Sequence, residues 1–183
     1  MNLNIIIWNI FKVITFIKLS YYKSLWLNIK WFSGAWFFGF PTLRSARLIQ
    51  IWKNFQIGKY SRLAGMIEIG DNVFINEFWS INAGLSESAK ITIGNNVMFW
   101  PGCFLQSSDH AFRKWELYMF ANEWRYWPID IGDNCWIWAR TIILKWVSIG
   151  ANSVIWAGSV VTKSIPSWVV AVGNPARVLR EIE

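Results

Sequence analysis

The chain has 183 residues, 54% of them hydrophobic, enough for one domain with a well-filled core and an N-terminal appendage. Two cysteines are too few for a disulfide framework and fit a reducing compartment, and one histidine is too few for a three-histidine zinc site. The formal net charge of +7 is unevenly placed: residues 1–67 hold nine Lys and Arg and no Asp or Glu, so the remainder is −2.

Residues 1–50 are basic and aromatic, which predicts N-terminal helices acting as a cap with solvated lysines. The same composition suits peripheral contact with an anionic membrane surface, where each nearby Lys or Arg contributes roughly 1 kcal/mol. The apolar stretch 5–17 is interrupted by Asn9 and Lys12 and falls short of the roughly 18 residues a span needs. Its polar residues form no clean helical stripe, and residues 17–22 offer no small-residue cleavage site. The expectation is a cytoplasmic protein, with contact at the inner membrane face left open.

From residue 51 onward a phase of six dominates. Aliphatic or aromatic residues stand at Ile51, Ile57, Leu63, Ile69, Ile75 and Ile81, then at Ile93, Phe99 and Leu105. They return at Ile131, Ile137, Ile143, Ile149, Ile155 and Val161. Small or β-branched residues often follow four positions later: Ser61, Val73, Val97, Cys103, Cys135, Thr141, Val147, Ser153 and Ser159. Six is neither the helical 3.6 nor a two-residue strand alternation. It is the mark of a β-helix, whose stacked coils bury a shared apolar column. A β-sandwich would alternate by two with irregular spacing. The predicted layout is a cap over 1–50, a β-helix over 51–166 with a protruding loop 107–128, and a C-terminal tail or helix over 167–183. Both cysteines fall at interior-type positions and read as small buried residues.

The segments Ile131-Gly132-Asp133-Asn134-Cys135-Trp136-Ile137, Ile149-Gly150-Ala151-Asn152-Ser153-Val154-Ile155, Gly158-Ser159-Val160-Val161-Thr162-Lys163 and Gly173-Asn174-Pro175-Ala176-Arg177 resemble the hexapeptide-repeat acyltransferases. The nearest subgroup is the sugar O-acetyltransferases of maltose and colanic-acid type, over about residues 50–183. The resemblance implies a left-handed parallel β-helix, a homotrimer, acetyl-CoA as donor and active sites between neighbouring subunits. γ-Type carbonic anhydrases share this fold, but one histidine cannot supply their zinc set. The chain shows no recognisable nucleic-acid-binding pattern and no phosphate-cradling glycine loop.

His110 is the one side chain whose ordinary pKa allows proton exchange near pH 7. In the resembling family a histidine at the base of this loop is the catalytic base. Asp109 is a candidate to orient it or meet the acceptor, although neighbours on an extended chain seldom face each other. Asn82 resembles family asparagines that bind the acceptor. The donor-site matches are Trp136, Ala139, Ala157, Thr162, Lys163 and Arg177: the two cations would meet phosphates, the alanines would offer backbone to the pantetheine arm, and Trp136 would lie near the acyl group. Arg113, Lys114, Arg125 and Tyr126 on the loop are candidates for contact with an acidic or glycan acceptor.

Fifteen tryptophans are abnormal for this length. Trp52, Trp100, Trp138, Trp146 and Trp156 stand where the family pattern has glycine, which tolerates tight turns and close approach. Trp79 occupies an interior-type position usually held by a small residue. The pattern admits an outward apolar surface, or UGA codons that the source organism reads as glycine. Tryptophan at 138 and 156 would crowd a donor groove. The expected function is acetyl transfer from acetyl-CoA to a sugar or glycan hydroxyl; the alternatives are an amino-sugar N-acetyltransferase and a non-catalytic β-helix scaffold.

Overall fold

The computed structural model describes residues 28–29, 36–38, 41–45, 48–111 and 123–183. These residues wind as a parallel β-helix in which each coil lays one short strand on each of three sheets. The first coil holds β1 (Asn28–Ile29), β2 (Trp36–Phe38) and β3 (Thr42–Arg44); the second β4 (Ile49–Ile51), β5 (Gln56–Gly58) and β6 (Arg62–Ala64). The third holds β7 (Ile67–Ile69), β8 (Phe74–Ile75) and β9 (Ser80–Asn82); the fourth β10 (Ile91–Ile93), β11 (Met98–Phe99) and β12 (Phe104–Gln106). A hairpin of β13 (Ser108–His110) and β14 (Trp124–Tyr126) then leaves the shaft. Winding resumes with β15 (Ile129–Ile131), β16 (Trp136–Ile137) and β17 (Ile142–Leu144), then β18 (Val147–Ile149), β19 (Val154–Ile155) and β20 (Val160–Val161). The antiparallel pair β21 (Val169–Gly173) and β22 (Ala176–Glu181) ends the chain.

Six residues per side and three sides per coil explain the register. Ile49 pairs with Ile67 and Ile129 with Val147, each eighteen residues on. All fifteen residues of the six-residue phase are at most 3% exposed. The nine small residues at the coil corners are buried as well, at 1% or less. Their hydroxyls and thiols donate to corner carbonyls: Thr141 to Trp138 at 2.7 Å, Ser159 to Trp156 at 2.6 Å and Cys135 to Gly150 at 3.3 Å. Burial pushes the Cys103 thiol up to about 12 and raises Cys135 too, so neither is a reactive thiolate.

One corner column is built from asparagine. Asn54, Asn72, Asn96, Asn134 and Asn152 share positive φ, between 54° and 61°, a region asparagine tolerates. Their side-chain amides form a ladder, Asn54 donating to Asn72 at 2.8 Å and Asn72 to Asn96 at 2.9 Å. Each backbone N–H from Asn72 onward donates to the coil below, as Asn152 does to Asp133.

Two expectations need correction. The cap reading of 1–50 fails for its described part: residues 28–29, 36–38, 42–44 and 49–51 are strands of the same three sheets, and residues 1–27 lie outside the described residues. The phase was hidden because Leu43, the register partner of Leu63, precedes Ile51 by eight residues rather than six. The C-terminal tail is not a helix. Val169-Val170-Ala171-Val172 is β-branched and extends the second sheet, and β22 folds back onto it. Among the described residues no helix is long and apolar enough to cross a membrane.

The tryptophans separate into three groups. Trp79 is 1% exposed, packs edge-on to Phe99 and donates its indole N–H to the Trp100 carbonyl at 2.8 Å, so this interior position accommodates it. Trp100, Trp138 and Trp156 stack outside the second sheet at 5.0 and 6.0 Å, with Trp136 against Trp138 at 4.7 Å. These three and Trp52 avoid positive φ; of the five suspected of strain only Trp146 has it, at 63°. Trp168 shares the strain at 62°, in the coil position that continues the asparagine column, its N–H donating to Ala151. A bulky L-residue there costs about 1–2 kcal/mol. Trp168→Asn should therefore raise stability by about 1 kcal/mol in chemical denaturation; an unchanged or lower midpoint would refute the strain.

Candidate active site

Strand alternation turns Leu63, Ile81 and Leu105 inward, and their neighbours outward. On the third sheet this places Arg62, Ser80, Asn82, Phe104 and Gln106 on one external face, in register across β6, β9 and β12. Two excursions rise beside that face. The first, residues 83–90, carries a 3-10 turn at Glu87–Ala89. The second is the β13–β14 hairpin. Ser107 clips them together: its buried hydroxyl donates to the Ala89 carbonyl at 2.7 Å and accepts from the Gly84 N–H at 3.1 Å. Between them lies a cavity of about 490 Å³, completed by Ala83, Gly84, Leu85, Ser108, Trp124 and Tyr126.

Its chemistry is that of a polar small-molecule site. Ser80, Asn82, Gln106 and Ser108 are neutral donors and acceptors, and the Asn82 amide donates to Ser80 at 3.0 Å and that of Gln106 to Ser108 at 2.6 Å. Phe104 and Tyr126 supply apolar walls. His110 is exposed on the hairpin with its ring against the lining residue Trp124, centroids 3.7 Å apart, which sets the imidazole at the cavity rim. Asn82 is within the lining of the cavity that His110 borders.

Asp109 is not. Residues one apart on a strand face opposite ways, and the Asp109 carboxylate pairs with the Lys145 ammonium at 2.5 Å instead of the imidazole. That ammonium hydrogen bond holds the Asp109 carboxyl below the usual carboxylate range, assisted by the His110 backbone N–H. Arg125 lies opposite Asp109 in the hairpin register and Tyr126 lines the cavity, while Arg113 and Lys114 lie outside the described residues.

The donor-side candidates divide between two corners. Trp136, Ala139 and Ala157 follow the second sheet, where the Gly158 N–H donates to the Ala139 carbonyl at 2.9 Å, and Arg177 projects from β22. Thr162 and Lys163 stand one corner further round, in a cavity of about 620 Å³ with Leu144, Lys145, Trp146, Ser148 and Ser164. Lys145 lies between the two regions, paired to Asp109 and 5.3 Å from the Trp127 ring. Sequence reading missed Arg62, Ser80, Gln106, Ser108 and Lys145. The signal existed for the first three: they flank phased interior residues and so face outward together. Among the described residues no group of three His, Cys, Asp or Glu gathers as a metal site.

The bacterial transferase hexapeptide (six repeats) model matches residues 128–163. Galactoside O-acetyltransferase of Escherichia coli is 40% identical over 128 residues, covering 67% of this chain and 58% of that protein. A solved maltose O-acetyltransferase of Clostridium difficile is 30% identical with a TM-score of 0.54, covering 86% of this chain and 70% of that one. This chain belongs to the hexapeptide-repeat acetyltransferases. Another solved member, a galactoside acetyltransferase in complex with coenzyme A, is 31% identical with a TM-score of 0.58, covering 81% of this chain and 64% of that one. The chain spans about three-fifths of the length of the curated galactoside enzyme.

In this hexapeptide-repeat protein the hairpin is tied to the shaft by an acid-labile pair. Because Asp109 has a lowered folded pKa, the pair's stabilisation is present above the unfolded carboxyl value of about 3.9 and is lost as pH falls through the folded value. Both side chains are partly exposed, so its size is under about 1 kcal/mol. The stability gap between the parent and Asp109→Asn should be full at neutral pH and close on acidification; a gap that widens in acid would refute this account.

Proposed function

We propose that the protein is an acetyl-CoA-dependent O-acetyltransferase acting on a hydroxyl of a sugar or glycan precursor, with His110 as general base. The observation that carries the reading is the placement of the chain's one imidazole at the rim of a cavity lined by neutral hydrogen-bonding groups and aromatic walls. Ser80, Asn82, Gln106 and Ser108 match the hydroxyl pattern of a saccharide, and aromatic faces suit the apolar faces of sugar rings.

Acetyl-CoA would supply the acetyl group as a reactive thioester. Lys163, with the Thr162 hydroxyl beside it, offers the point charge that a phosphate favours. Arg177 would add a second phosphate contact, and the backbone at Ala139 and Ala157 would face the pantetheine arm, with Trp136 near the acyl end. The donor candidates occupy two corners of one protomer. A left-handed homotrimer with the donor in the groove between subunits brings such corners together, and this is the assembly we propose. The basic and aromatic composition of residues 1–50 supports peripheral contact with the inner face of the membrane.

The imidazole accepts the proton of the acceptor hydroxyl as its oxygen attacks the acetyl carbonyl. The new ester bond forms as the carbon–sulfur bond breaks, and the imidazolium returns its proton to the departing sulfur. His110→Ala should lower kcat about 10²–10⁴-fold while calorimetric binding of acetyl-CoA persists. Full activity in that variant would remove the base from His110. Absence of acetyl-CoA binding by the parent would favour a non-catalytic scaffold.

A further inference from the structure

Among the described residues, the lining of the cavity beside His110 holds one cation and no carboxylate. Arg62 sits on its sheet face in register with Ser80 and, one strand further, Phe104; the remaining lining residues are uncharged. Nearby, Lys145 is paired with Asp109 and Lys90 with Glu68 at 2.6 Å, while Arg125 stands on the hairpin outside the cavity lining. Arg62 is exposed and forms no ion pair or side-chain hydrogen bond among the described residues. A guanidinium donates to neutral hydroxyls as well, but only an anion adds a charge-assisted bond to it. A guanidinium beside four neutral donors matches an oxyanion, which it can grip through two parallel N–H bonds.

Resting on the acceptor reading above, we propose that Arg62 selects an anionic acceptor, a saccharide carrying a carboxylate or phosphate. Arg62 lies two strand spacings from β12, roughly 10 Å, so the anion sits about one sugar ring away from the hydroxyl presented to His110. The polar residues between them hold the intervening ring.

Titration of the full-length protein with matched disaccharides, one ending in a hexuronate, one in a sugar phosphate and one neutral, tests this in the His110→Ala background. Binding there does not depend on turnover. The parent charge pattern should favour an acidic ligand over the neutral one, and adding Arg62→Gln should weaken acidic binding about tenfold, bringing the ratio near one. The arm with the larger loss identifies the anion. Equal affinity for all three ligands, or an unchanged ratio in Arg62→Gln, would overturn the proposal. Failure of the parent protein, with His110 intact, to transfer acetyl to the preferred ligand would instead count against the catalytic reading.

A second inference rests on backbone geometry together with the excess of tryptophan, fifteen in the chain. Trp146 and Trp168 are 73% and 56% exposed, and both adopt the left-handed region that glycine and asparagine favour, a region Tyr60 and Phe78 also enter. Trp168 stands in the coil position that continues the column of five asparagines. We infer that both positions are glycine in the protein made by its source organism, through UGA codons read there as glycine. Codon sequencing and the masses of the corresponding peptides from that organism decide it. UGA at both codons with glycine peptides supports the inference; UGG codons, or tryptophan in the peptides, overturn it.

Discussion

Every described strand is two to six residues long, and none could stand alone; each strand of the shaft's coils depends on a like strand one coil away to satisfy its backbone. Coil-to-coil register is therefore the governing constraint. It fixes eighteen residues per coil where the winding is regular and permits extra chain only at corners. The steps from Ile67 to Ile91 and from Ile91 to Ile129 are longer, yet the isoleucines remain in register across them. Both excursions leave and rejoin without disturbing the buried column, and both flank the same face.

The division of labour follows. The shaft supplies a face of outward side chains whose positions are set by hydrogen-bonded neighbours on either side. The excursions supply walls and the imidazole. Ser107 joins the two systems, since its hydroxyl bonds the first excursion at both Ala89 and Gly84 from the base of the second. A site of this kind has a rigid floor and a rim that varies with loop sequence.

The shaft was legible in the sequence because burial imposes its period directly: each residue of the six-residue phase is interior. The first coil was not, because longer corners between β1 and β4 broke that period while leaving the pairing intact. The placement of His110 at a loop mouth followed from the interruption of the repeat, and attention to Asn82 from the resemblance alone. The Asp109–Lys145 pair spans thirty-six residues and cannot be read from a local motif. The expected tryptophan strain was misjudged at four of five positions, since a glycine in a repeat pattern does not always stand at positive φ; the structure relocated it to Trp146 and Trp168. Arg62 was passed over although its place beside the phased Leu63 turns it outward, on the same face as Ser80 and Gln106.

A solenoid of parallel strands has no intrinsic length, and its last coil offers an open row of N–H and C=O groups to any passing strand. Here the second sheet ends on β22, which runs against its neighbour and carries exposed Arg177, Arg180 and Glu181. A reversed, charged strand is a poor template for the parallel pairing used everywhere else in the shaft. On that sheet it stops the addition of a further parallel strand, whereas the other two sheets end on β18 and β20.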